Sequence, residues 1–528
     1  MIKIKKSVLA VFTAITATCL TSCGSKADVT LWGAFGSKYS TKLDSIVADM
    51  SSDLGMKIKH ESKGSYPGIR KEMINAIATG KYPELAVGYP DHFAQYHGSG
   101  ILRPLDDLVG DMINDYNTNY MPENYLYDQD GTKHLYGVPF NKSTELLGYN
   151  GVFVDYCADK YNDPDLKKLP ETWGEWAAAK SDPTSKAGKY LTIYNELIDK
   201  KAVVFASQAE DGTATNFTVY DKDSSSIPES VTNKVKVFDF REVEKSFTKL
   251  MTWDSTDNAF ITLVRQWDGK YTSLPSSEYS IHPKRRHGHI LFANEENLPK
   301  TIEMLKFFRQ MYQDGIFGTP SDIGGSFSSE AFARGCVMFM VCSSGGLSYN
   351  TSNWNNRFRV APIPYRDVNH KYVISQGANI CMTKKGNEQK ALKVLKALTT
   401  GKFQTRWAIE TGYFPASESA ADSQEYKDFL KDTSYLDKDF VAYREGATVN
   451  NNEYRGKAHE NEAGWIPWNP FVDDAFIGSA VVREQVAFII PNVLKNVTNI
   501  NDDAQYKSVI STILNSTEIS DNINLIVE

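Results

Sequence analysis

Apolar residues recur along this chain with two different periods. VTLWGAF (residues 29–35) is a continuous apolar run that predicts a buried strand, and TKLDSIVADMSSDLG (41–55) follows with Leu43, Ile46, Val47, Met50 and Leu54 on one helical face. Gly55 supplies the stop. MKIKH alternates apolar and charged residues as a second strand, PGIRKEMINAIATG predicts a helix closing at Gly80, and ELAVGY predicts a third strand. Strand, helix, strand, helix, strand predicts an α/β sheet, because parallel neighbours need a crossover helix.

From LYGVPF onward the pattern changes. A hydrophobic strand, TELLGYN, leads to LPETWGEWAAAK, where Thr172 and Glu175 have the spacing of a capping box. Residues 195–300 are polar and rich in Ser, Asp and Thr, and predict turns with short strands; Trp253 and Trp267 within them are expected to cover a core. Order returns with the helix PKTIEMLKFFRQMYQDG, its Ile302, Leu305 and Phe308 inward. SSEAFARGCVMFMVCSSGG then predicts a short helix, a strand and a Ser/Gly turn whose amides can approach a ligand closely. RFRVAPIP and YVISQGANICMT are further strands, and NEQKALKVLKALTTG is a helix with Ala391, Leu395 and Leu398 on one face.

At the beginning, Lys3, Lys5 and Lys6 precede the apolar run SVLAVFTAITATCL, which has the length and flanks of an export signal and is too short to span a bilayer. Leu20, Thr21, Ser22 and Cys23 resemble the bacterial lipobox, which implies cleavage of residues 1–22, acylation of Cys23 and a short tether over 23–27. Several acyl chains anchor a protein stably where one does so only marginally.

The 528 residues exceed what one core organises, so at least two lobes are expected. Without the three leader lysines the body carries 55 Lys plus Arg against 65 Asp plus Glu, a formal charge of −10. That acidity argues against nucleic acid or an anionic membrane face as partner. Cys157, Cys336, Cys342 and Cys381 form no Cys-x-x-Cys pair, so neither a metal nor a cofactor is expected, and buried thiols acting as small hydrophobes are the preferred reading.

In an open α/β sheet ligands lie beyond the carboxyl ends of the strands. GAFGSK and YPDHF lie there, placing Trp32, Ser37, Lys38, Asp91 and His92 near a cleft by topology alone. Two alternatives stay open: Trp32 as core, and Asp91 as the cap of the helix that follows it.

Seven stretches in sequence order carry a resemblance. They are AIATGKYPELAVGYPDHFAQYHGSGILRPLDDL, LYGVPFNKSTELLGYN, LPETWGEW, AFARGCVMFM, RFRVAPIP, SQGANICMTKKGNEQKALKVLKALTTGKFQTRWA and TGYFPAS. Together they resemble family 1 extracellular solute-binding proteins, the lipid-anchored receptors of bacterial ABC importers related to the maltose-binding type. The resemblance implies a two-lobed α/β fold of the periplasmic-binding-protein type (type II), with a ligand cleft between lobes joined by crossing hinge strands. The first lobe is expected at 28–140 plus 363–415, and the second at 141–362 plus 416–528 with a polar insertion over about 195–300. Crossings near Pro139, Pro362 to Pro364 and Pro415 would serve as hinges.

Carried over by motif, the ligand-binding positions implied are Trp32, Gly36, Ser37, Asp91, Asn141, Ser143, Ser343, Ser344, Gly345, Gly346, Gln376 and Tyr413. WIPWNPF in the tail adds Trp465, Trp468 and Phe471. Aromatic faces and planar polar groups suit a mono- or oligosaccharide. ABC permease subunits are the implied protein partner, and a monomer the implied state. A glycoside hydrolase, a peptide receptor and a surface adhesin are the competing classes. No Gly-x-Ser-x-Gly, His-Glu-x-x-His or Walker A motif supports an enzyme.

Overall fold

The computed structural model describes residues 26–128, 130–209, 213–224, 226–273, 288–346, 358–431, 466–468, 476, 478–516 and 525–526. Cys23, Trp465 and Phe471 lie outside them, and Trp468 is described in its backbone only. No helix among the described residues is long and apolar enough to cross a membrane.

The first three predicted strands form, as Val29–Gly33, Ile58–Ser62 and Leu85–Gly88, all parallel. Helix Ser37–Leu54 buries Tyr39, Leu43, Ile46, Val47 and Met50 and ends on Gly55 at φ 60, a left-handed position that glycine tolerates. Each such apolar side chain removed from water contributes about 1.5–3 kcal/mol, which is what fixes this helix against the sheet. Alternation sorts the strand residues between two faces. Leu31, Leu85 and Val87 join a core with helices Ser37–Leu54 and Glu388–Thr399. Trp32, Ala86 and Cys381 join the opposite core under helices Tyr66–Thr79 and Pro90–Gly98.

GVPF (137–140) and TELLGYN (144–150) are parts of one strand, Gly137–Asn150. Its first half pairs antiparallel with Tyr372–Met382, from Gly137 opposite Cys381 to Thr144 opposite Ser375. Its second half pairs antiparallel with Phe339–Ser343 on one side and Phe358–Ala361 on the other. One ten-stranded sheet therefore runs through the molecule, in the order 317–318, 251–253, 339–343, 137–150, 372–382, 85–88, 29–33, 58–62, with 358–361 and 466–468 branching from it.

Side chains change core along the two long strands. Val138 and Phe140 belong to the smaller lobe, and Leu146, Leu147 and Tyr149 to the larger. On the return strand Val373 and Ile374 belong to the larger lobe, and Ala378 and Ile380 to the smaller. Ile363 and Tyr365 also pack in the larger core, so the return crossing falls between Ile374 and Ala378 rather than at Pro362 to Pro364. A register shift at Ala378/Asn379 bends this strand. Gly377 beside it has φ 119, and a Cβ there would stand 2.0 Å from the Asn141 carbonyl oxygen.

The polar stretch proves to be more than an insertion. It holds a small antiparallel sheet (Val203–Gln208, Ala214–Tyr220, Val235–Asp239), and also the main-sheet strand Met251–Trp253 and helix Thr256–Gln266. Trp253 and Trp267 are buried in the larger core, Trp253 stacked on Trp173 at 5.9 Å. Cys157, Cys336, Cys342 and Cys381 are buried free thiols.

Candidate functional site

Where the lobes meet, the strand ends and the two crossing strands gather polar and aromatic side chains. Tyr89 follows the third strand, Tyr66 opens helix Tyr66–Thr79, and their rings lie 4.5 Å apart. Asn141, on the outgoing crossing strand, donates from Nδ2 to the Tyr66 hydroxyl at 3.3 Å, and its buried Oδ1 has no partner. Tyr413 stacks on Trp407 with centroids 6.2 Å apart. Gly345 passes so close that a Cβ would stand 2.3 Å from the Tyr413 ring, which is why that turn needs glycine. All three tyrosines keep part of their surface open. Even so, desolvation raises the phenols of Tyr66, Tyr89 and Tyr413 far above their ordinary value, so all three hydroxyls stay protonated donors.

A second layer comes from the larger lobe. The Gln376 Oε1 accepts from Asn258 Nδ2 at 2.7 Å, and the Glu145 Oε1 accepts from Trp253 Nε1 at 2.9 Å. Glu145 Oε2 is buried without a partner, and desolvation, supported by the nearby Asp257 and Asp254 charges, pushes this carboxyl up to about 8. Ser344 Oγ accepts from the Thr144 amide at 3.1 Å, and Tyr39 donates to the Gly345 carbonyl at 2.6 Å.

Asp91 is buried and paired with Arg483, whose Nε donates to Oδ2 at 2.8 Å. Burial works to raise this carboxyl, and the Arg483 guanidinium, helped by the His92 backbone amide donating to Oδ1 at 2.9 Å, outweighs it, so its pKa falls below the ordinary value. The same burial presses His92 down to about 3, holding it neutral. Arg483 lies 4.4 Å from the Tyr89 ring centroid and 3.7 Å from Asp257.

Of the sequence-predicted residues, Asp91, Asn141, Gln376, Ser344, Gly345 and Tyr413 gather at this junction. Ser143 is buried on the same strand, opposite Gln376 in register, and Ser343 accepts from the Gly345 amide at 3.2 Å. Gly346 ends that turn, half-buried. Gly36 and Ser37 are exposed at the start of helix Ser37–Leu54, Gly36 as its N-cap residue. Trp32 packs in the core under Lys63, whose Nζ is 3.8 Å from its ring centroid. The Trp468 backbone pairs with Ile374 on the return strand.

Tyr66, Tyr89, Glu145, Asp257, Asn258 and Arg483 join the junction without belonging to the predicted set. Tyr89 and Glu145 had a signal: one adjoins the PDHF motif, the other lies two residues beyond Ser143 and so shares its strand face. Arg483 had none, being 392 positions from its carboxylate partner. Among the described residues no cluster of His, Cys, Asp and Glu could hold a metal. A separate cavity of about 590 Å³ is lined wholly by larger-lobe residues, including Phe238, Phe240, Phe247 and Arg334.

The family profile of the bacterial extracellular solute-binding proteins matches residues 45–431. The chain belongs to that family. Solved structures agree with the two-lobed fold of this solute-binding protein. UgpB from Mycobacterium tuberculosis, in complex with glycerophosphocholine, superposes with a TM-score of 0.61 at 16% identity, over 92% of this chain and 98% of that one. The GacH receptor of Streptomyces glaucescens, solved unliganded and with acarbose, gives 0.60 at 13%, over 92% and 98%. The maltose/maltodextrin-binding domain MalE from Bdellovibrio bacteriovorus, bound to maltotriose, gives 0.58 at 14%, over 92% and 100%. None of the curated sequences compared matches the chain. Family and structural neighbours are binding proteins rather than enzymes, and the family's setting is extracytoplasmic.

Proposed function

We propose that this solute-binding protein is the receptor of an ABC importer, that it holds a carbohydrate at the lobe junction, and that lipid on Cys23 tethers it outside the membrane as a monomer. The observation that carries the reading is the junction itself. Tyr66 and Tyr89 lie ring to ring, Tyr413 stacks on Trp407, and Asn141 on the outgoing crossing strand donates to the Tyr66 hydroxyl while its own buried Oδ1 has no partner. A sugar presents C–H faces that pack on rings and hydroxyls whose desolvation is repaid by planar acceptors and donors. Structural neighbours solved with acarbose and maltotriose lend support.

Mechanism follows from differential affinity. A solute touching both lobes favours the form in which they are together, and that shape is what a permease would read. No bond of the solute is broken, so a sugar chain incubated with the protein is expected to keep its length.

The test is a thermal-shift screen of mono- and oligosaccharides, polyol phosphates, glycerophosphocholine and peptides. One carbohydrate is expected to stabilise the protein by about 2.7 kcal/mol when present at 100 times its Kd. A shift with peptides alone would overturn the carbohydrate reading, and shortened sugar products would overturn the receptor reading. Radiolabelled palmitate is expected to enter the wild-type chain in the native cell and not a Cys23→Ala variant.

A further inference from the structure

Helix Ser479–Val486 belongs to the larger lobe by its packing. Val482 and Val486 are in that core, and the helix lies against Thr256–Gln266 and Asp503–Leu514. Two adjacent side chains on it nevertheless reach the smaller lobe. Arg483 donates from Nε and Nη2 to Asp91 at 2.8 and 3.3 Å. Glu484 receives Arg70 through a matching fork, Nε to Oε1 at 2.8 Å and Nη2 to Oε2 at 2.7 Å.

Arg70 and Asp91 stand on consecutive helices of the smaller lobe, Tyr66–Thr79 and Pro90–Gly98. The charge order is reciprocal: the larger lobe offers plus then minus, and the smaller lobe answers minus and plus. Slippage by one position would set like charges together, so the arrangement fixes register as well as attraction. Side-chain exposure is 5% for Arg70 and 16% for Glu484, so water and salt screen this pair weakly. Bidentate geometry adds the stronger class of hydrogen bond.

We propose that Arg70 and Glu484 are positioning residues of a two-pronged latch, with Arg483 and Asp91 as its other prong, which holds the lobes together and thereby sets solute affinity. Neither Arg70 nor Glu484 lies among the tyrosines and amides of the candidate site. Their effect on binding runs through the closed population: apparent Kd equals intrinsic Kd divided by the fraction already competent. The inference rests on the two-lobe receptor reading, and the experiment separates the two.

Spin labels on Asp111→Cys in the smaller lobe and Lys180→Cys in the larger report the lobe separation without any solute. Four forms are compared: wild type, Arg70→Gln, Glu484→Gln, and the charge-swapped Arg70→Glu/Glu484→Arg. The short-distance population is expected to shrink in both single variants and to return in the swap. With the best ligand from the screen, Kd is expected to rise about tenfold in each single variant through a faster off-rate, and to recover to within about threefold in the swap. Identical distance distributions in all four forms would overturn the latch, whether or not a ligand has been found. An altered distribution with unchanged Kd would overturn its link to affinity. If no solute binds, the distance measurement alone decides the latch, and the receptor reading fails separately.

Discussion

Glu145 shows how a single residue can work against the fold that holds it. Its ordinary pKa is 4.5 and burial takes it to about 8, so the folded chain retains a proton that the unfolded chain has released. Below pH 4.5 both states are protonated and the burial carries no ionisation penalty; as pH rises from there toward 8 the unfolded chain is increasingly favoured, and stability falls. Glu145→Gln keeps the acceptor for Trp253 without a titrating group. The gap in Tm between variant and wild type is therefore expected to widen from pH 4.5 to 8 and then level off, and a gap independent of pH would count against it. His92 acts at the other end of the scale. Held near 3 by burial, it cannot take the proton that the unfolded chain binds below 6.5. Asp91, lowered by its Arg483 partner, adds to the same trend at still lower pH. Stability is expected to fall as pH drops below 6.5, and His92→Gln to remove the part of the slope that precedes carboxylate titration.

At the scale of elements, the two crossing strands carry both the connection and much of the site. They are pinned by a buried ion pair, Lys142 with Glu123, completed by the Gly377 carbonyl at 3.0 Å from Nζ and by Asn379 Nδ2 donating to Glu123 at 2.7 Å. Removing one partner leaves the other charge buried, so Glu123→Gln is expected to cost roughly 3–5 kcal/mol in a denaturant titration. Replacing both, as Glu123→Leu with Lys142→Met, is expected to cost less than that single change. Gly377→Ala strikes the Asn141 backbone and is expected to lower Tm sharply. These strands were legible as apolar runs, while their length was not. Only TELLGYN reads as a strand, because the polar NKS before it interrupts the apolar pattern, and those polar residues sit where one core gives way to the other. Helix Thr256–Gln266 was hidden for a similar reason: its surroundings are polar, and its identity comes from packing in the larger core and against the return strand.

Across the whole molecule, the order of strands and helices, the glycine stops and the family likeness were written in local pattern, since each depends on residues within one or two turns of each other. Periodicity placed Leu43, Ile46 and Val47 inward, and the family resemblance implied Asp91, Asn141 and Gln376 as cleft positions. Tertiary structure decided the rest: that Trp32 packs under Lys63, that burial raises the Glu145 carboxyl, and that Arg483 and Glu484 reach across to Asp91 and Arg70. The physical reason is range. Burial and helical phase are properties of a short window of sequence, whereas an ion pair or a shifted pKa depends on which distant surfaces the folded chain brings together and how completely they exclude water.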